Sequence, residues 1–236
     1  MPDAALTTGP AVPRLAAAAA PAAAAMFLGS LAVFASLRDD GYSHAHKAVS
    51  ELGASGAPHA FAFNALGFVA PGLLVIAFAT GFAPLIRAGG SAVGPALLAL
   101  SGASLVIAGV FPVDMAARDS GTSLAHLAGA TASGIFWAAS LFWMGRLLTR
   151  LPSVARLARI TPWFVLFLVA NLAWQAMWQA TGWPPPGWGQ RIAFVGYFLW
   201  IALTGVMLLR GSSPANGRPV RGAGPPSSPH NGVIGP

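Results

Sequence analysis

The sequence predicts an all-α integral membrane protein built as a bundle of six transmembrane helices. Three observations lead there. The 236 residues are 56% hydrophobic and only 8% charged, whereas soluble domains carry about 25% charged residues. Apolar runs of about 18 residues or more recur along the chain, each long enough to cross a hydrocarbon core. The few charges lie between those runs.

Composition excludes several classes. The net charge is +7, but the basic residues sit in short links rather than on one face, so no nucleic-acid partner is expected. Cysteine is absent, which removes disulfides, thiolate metal ligands and a cysteine nucleophile. Neither a dinucleotide or phosphate loop nor a G-x-S-x-G elbow occurs.

Taken in order, residues 1–14 form a polar, Pro-containing tail with the composition of disorder. Residues 15–37 follow Arg14 as the first span. Its apolar run is longer than a secretory signal core, so it reads as an uncleaved anchor. The second span covers residues 58–86. Pro58 suits a first helical position, where its missing N–H would be unpaired anyway, and Pro71-Gly72 predicts a kink. The third span, residues 91–113, is rich in Gly, Ala and Ser. Small residues let helix backbones approach closely in lipid, which predicts a central place in the bundle.

The fourth span is residues 123–145, and a basic link over 146–160 leads to the fifth, residues 161–180. Trp183 and Trp188 flank a Pro-rich segment and suit a membrane interface. The sixth span, residues 190–209, closes a membrane domain over 15–209. The Gly-, Pro- and Ser-rich tail, 210–236, reads as disordered.

Lys and Arg set the orientation. Arg14, Arg87, Arg146, Arg150, Arg156, Arg159, Arg210, Arg218 and Arg221 share one side of a six-span topology, against Arg38, Lys47, Arg118 and Arg191. The excess predicts a multi-pass protein of the inner or plasma membrane with both termini cytoplasmic.

The connection over residues 38–60 then faces outward. It holds Asp39, Asp40, Glu51, His44, His46 and His59, half of the chain's acids and most of its histidines. Polar groups are also expected near the same depth within the spans. Asn171, Gln175 and Gln179 recur every four residues and form one stripe. Such a stripe serves either as glue between helices or as the lining of a wet cavity. Asn64 and His126 lie within two turns of the outer ends of their spans, as does Tyr197, and Asp114 closes the third. Together they predict an outward polar pocket. Glu51, Asp114 and His126 would hold a cationic or hydrogen-bonding group, and Asn64 and Gln175 would orient it.

A metal site is the sharper alternative. His46, Asp114 and His126 could hold zinc, with Glu51 as general base, since zinc takes three such ligands and activates a water in the fourth position. No helical HExxH or HxxxH pair supports it. Haem would need paired histidines at matching depth, and proton pumping would need ionisable residues at mid-membrane. The sequence offers neither.

His46-Lys-Ala-Val-Ser50-Glu51-Leu52-Gly53-Ala54, then Asn64-Ala-Leu-Gly67-Phe68 and Pro71-Gly72, resembles the "domain of unknown function 998" membrane proteins. Gly109-Val-Phe111-Pro112-Val-Asp114 and His126 are similar to later blocks of that family. The resemblance implies a compact six-span bundle with a polar outer motif and carries no catalytic role. A looser likeness is to seven-span metal-dependent membrane hydrolases that include alkaline ceramidases. Ser50, Asp114 and His126 can be compared with their Ser, Asp and His, but the late His-x-x-x-His helix is missing here. The expectation is a lipid-embedded protein that binds a small molecule or lipid headgroup without a cofactor. The alternative is a zinc-dependent hydrolase of outer-leaflet lipid.

Overall fold

The computed structural model describes residues 11–151, 154–183 and 186–211. Among them six long helices form and no strand does: α1 (Arg14–Ser36), α2 (Ala60–Ala88), α3 (Val93–Val110), α4 (Gly121–Leu148), α5 (Ala155–Thr181) and α6 (Pro186–Gly211). All six are long and apolar enough to cross a membrane, and the chain is an all-α membrane bundle. A short 3₁₀ turn (Val49–Gly53) interrupts the long connection between α1 and α2.

Short links make consecutive helices spatial neighbours. Each helix packs on the next, and α6 returns to α1, so the bundle closes as a ring. The alternation puts residues 37–59, 111–120 and 182–183 at one end, the loop face. Lipid gives helices no hydrophobic drive to associate, so van der Waals contact and interhelical hydrogen bonds must do it. The α2–α3 seam shows how. A Cβ on Gly72 would lie 2.6 Å from the Gly102 carbonyl oxygen, and one on Gly102 equally close to that of Gly72. Between α3 and α4, Ser140 donates to the Gly94 carbonyl at 3.0 Å and Ser101 to that of Ser133 at 2.8 Å. An aromatic cluster joins α1, α2 and α6: Phe27 stacks on Phe198 at 4.5 Å and meets Phe194 at 4.6 Å and Phe68 at 6.2 Å.

Three expectations change. The irregularity in α2 is a π-helical turn over Asn64–Val69, one turn before Pro71. A π turn re-spaces the hydrogen-bond ladder ahead of the proline, which has no N–H to give. The third span does pack backbone to backbone, but α3 stands in the ring between α2 and α4 rather than at its centre. The basic link shrinks, because α4 runs through Arg146 to Leu148 and α5 starts at Ala155. Arginine is a good helix former, and Pro162 lies inside α5. Most of both predicted tails, and Pro184 and Pro185, fall outside the described residues.

Candidate functional site: a cavity between α4, α5 and α6

The loop face is organised by a residue that sequence reasoning counted only as a topology charge. Arg191, in the second turn of α6, is 5% exposed. Its Nε donates to His44 Nδ1 at 3.0 Å, and its Nη1 to the carbonyls of Lys47 at 2.7 Å and Gly187 at 3.0 Å. Its Nη2 donates to the Tyr42 hydroxyl. The Gly187 N–H adds a bond to the Ala45 carbonyl at 2.8 Å. One guanidinium, with five donors in a fixed fork, thereby latches residues 42–47 onto α6. Burial, and then the Arg191 charge, hold His44 below the ordinary imidazole range. Burial raises the Tyr42 phenol. On the same loop, Arg38 hydrogen-bonds Asp40 at 2.9 Å and holds its carboxyl below the usual range.

Beneath this latch lies a cavity of about 480 Å³ walled by α4, α5 and α6, with Phe68 of α2 and Ser50 of the 3₁₀ turn completing it. The size matches a small-molecule or lipid-headgroup site. His126 (α4) is buried on its wall. Its Nδ1 lies 2.7 Å from the Ala108 carbonyl oxygen and 3.1 Å from that of Phe111. Two carbonyls can only accept, so Nδ1 carries the proton. Nε2 has no protein partner among the described residues, and His126 lines the cavity.

On α5, Asn171 donates to the Gly189 carbonyl at 2.9 Å, and Gln175 donates to the Asn171 Oδ1 at 2.9 Å. That leaves Gln175 Oε1 for the cavity. On α6, Gln190 accepts from the Val49 N–H at 3.0 Å and keeps its own amide donors. Deeper in, Trp137 lines the wall and its buried indole N–H has no partner among the described residues. An unmatched buried N–H costs about 1–3 kcal/mol, and this one is enclosed by protein rather than open to the cavity.

The remaining sequence candidates lie elsewhere. Glu51 accepts from the Ala48 N–H at 2.8 Å and pairs with Lys47 at 3.2 Å, which caps the 3₁₀ turn. Asp114 accepts from the backbone of Ala116 at 2.8 Å and Ala117 at 3.1 Å, holding the α3–α4 turn. Asn64 donates to the Gly53 carbonyl at 2.8 Å and docks the turn against α2. A Cβ on Gly53 would collide with the Asn64 amide, so the glycine after Ser50-Glu51-Leu52 is a packing requirement. His46 is exposed. Among the described residues no three His, Cys, Asp or Glu side chains come together. The cavity thus brings together His126 and Gln175 of the predicted set, with Ser50 and Tyr197, while Glu51, Asn64, Asp114 and His46 are outside it.

A family model described as "Protein of unknown function (DUF998)" matches residues 17–207. The chain belongs to the DUF998 family. The match runs from α1 into α6 and includes every residue of the latch and the cavity. No curated protein and no solved structure matches the chain.

For this DUF998 protein the sequence did signal some of what was missed. Gln190 and Arg191 are adjacent polar residues at the start of an apolar span, a costly placement that asks for partners. Trp137 and the small residues Ala130, Gly134 and Ala138 gave no such signal, because an apolar wall reads like any other buried face.

Proposed function

We propose that this DUF998 protein is a non-enzymatic binding protein of the cell membrane. Its termini are cytoplasmic and its loop face points outward. The cavity takes a small molecule or a lipid headgroup, as in a sensor, an accessory subunit or a permease. The observation that carries this reading is the unmatched polar lining. His126 Nε2, Gln175 Oε1 and the Gln190 amide donors belong to residues that line one cavity and have no protein partners among the described residues. A bundle closed for structure alone would satisfy such groups internally.

The test uses a defined probe, 1-oleoylglycerol, added to the detergent-purified protein and followed by native mass spectrometry. One bound probe per chain is expected, with affinity lowered about tenfold or more when His126→Leu and Gln175→Leu remove two polar partners. Equal binding by wild type and double variant would refute the assignment of the site. The rival zinc hydrolase needs His46, Asp114 and His126 about 2.0–2.2 Å from one ion. Their placement gives it no support, and elemental mass spectrometry showing one zinc per chain would revive it.

A further inference from the structure

We infer that the ligand is an uncharged, chain-bearing amphiphile that enters the cavity sideways from the bilayer, between α4 and α5. This rests on the reading of the cavity as a binding site and adds the ligand's charge, its tail and its route.

The route is read from the walls. Leu127 and Ile135 on α4 and Leu172 on α5 all line the cavity, yet they are 61%, 61% and 57% exposed. A side chain can do both only if the cavity opens between those two helices, and on a ring of membrane helices that gap faces hydrocarbon. The gap has a local cause. Ala130, Gly134 and Ala138 recur every four residues on α4, so they form one shallow row. A Cβ on Gly134 would meet nothing within 4 Å. Opposite them, α5 buries only Leu157, Thr161 and Asn171 of its 27 residues.

The tail follows from the dimensions. From His126 to Ala138 the cavity tracks 12 residues of α4, about 18 Å at the helical rise, from near the loop face towards mid-membrane. Its deep and lateral walls, Leu127, Ile135, Ala138, Leu168 and Leu172, suit a chain that trails into the lipid.

The charge follows from the lining. Among the described residues no Asp, Glu, Lys or Arg lines the cavity. Nearby charged groups are already engaged: Arg191 by the latch, Glu51 by Ala48 and Lys47, Asp114 by its turn. A charged head would therefore stand without a counter-ion at membrane depth, where that is expensive. A hydroxyl or amide head suits the free groups. Gln175 Oε1 and His126 Nε2 accept, while the Gln190 amide donates.

The chain has no cysteine, so Leu127→Cys with Leu172→Cys gives a unique pair across the gap, to be bridged by a short bis-maleimide. The protein is placed in nanodiscs of phosphatidylcholine and challenged with two oleyl probes bearing a chain diazirine, a monoacylglycerol and a fatty acid. Photolabelled peptides are mapped by mass spectrometry. We expect the monoacylglycerol to label α4 and α5 peptides, the fatty acid to label them about tenfold less, and bridging to reduce the monoacylglycerol signal about tenfold. Equal labelling before and after bridging would overturn the lateral route while leaving the cavity as a site. Equal labelling by both probes would overturn the neutral-head claim. No labelling of the unbridged protein by either probe would sink the cavity reading and this inference with it. Cross-linking of the single Leu127→Cys variant into dimers would show that a second copy, not lipid, covers the gap, and would also overturn it.

Discussion

On the flank of α4 that meets α3, a Cβ added to Gly129 would lie 2.8 Å from the Ser104 carbonyl oxygen and 2.8 Å from the Ala108 nitrogen. On the flank that meets α5, a Cβ added to Gly134 would touch nothing within 4 Å. The two glycines are five residues apart on one helix and are chemically identical. One closes an interface and the other leaves room. Small residues in a membrane helix thus have two opposite uses, and the neighbouring helix decides which. The α2–α3–α4 side uses them for contact and for serine-to-carbonyl bonds. The α4–α5 flank uses them to keep a partly polar cavity from being filled.

The comparison can be attacked first where contact is closest. Gly102→Val should be the most damaging change, because the new side chain meets the Gly72 backbone, which cannot move aside cheaply. Overpacking costs about 1–3 kcal/mol, and more against backbone, so a collapse of the monodisperse fraction in size-exclusion chromatography is expected. Gly129→Leu should behave the same way. If either variant kept the wild-type melting temperature, the tight half of the comparison would fail.

Next comes the latch that roofs the cavity. Arg191→Met strips donors from the Tyr42 hydroxyl, His44 Nδ1 and two carbonyls, and hydrogen bonds from a charged group are worth about 1.5–3 kcal/mol. Lys47 is the chain's one lysine, so endoproteinase Lys-C reports on this loop alone. Cleavage after Lys47 should be much faster in the variant, and unchanged cleavage would deny Arg191 its role.

Acid should loosen the same latch more gently. His44 Nδ1 accepts from Arg191, so it must be unprotonated, and its folded pKa is depressed, by burial first and then by the Arg191 charge. The undocked loop therefore takes up a proton first. Docking is intact above the ordinary imidazole value of about 6.5 and weakens as pH falls through it towards the folded value. Lys-C-independent evidence would be faster hydrogen exchange at Gly187 and Val49 near pH ~5, after correction for intrinsic rates. His44→Gln should abolish that pH dependence.

Smallest of all is His59, which begins α2 with a left-handed φ of 59°. His59→Gly should gain roughly 0.5–1 kcal/mol in thermal unfolding by relieving a conformation that L-residues disfavour.

Much of the fold was legible because a bilayer imposes one simple demand. Backbone groups in hydrocarbon must be paired within the segment, so an apolar run of sufficient length has to be a helix. The site was only partly legible. His126 and Gln175 are polar residues inside apolar spans, and their cost marked them out. Glu51 and Asp114 stood out equally in the sequence, yet each is used locally, on the backbone of its own turn, a role that any loop carboxylate can fill. Asn64 also looked like a pocket residue and instead docks Gly53. Arg191 was hidden because a cation near a span end has a ready explanation in topology. Gly134 was hidden because nothing in a sequence distinguishes a glycine that is filled from one that is not.

Gly134→Leu is therefore the most direct test. A leucine there should occupy the cavity without touching backbone. The account predicts a melting temperature within about 2 °C of wild type, as for a surface change, together with loss of the 1-oleoylglycerol adduct in native mass spectrometry. Retained binding at full stability would contradict the site, and a fall in stability matching that of Gly129→Leu would contradict the cavity itself.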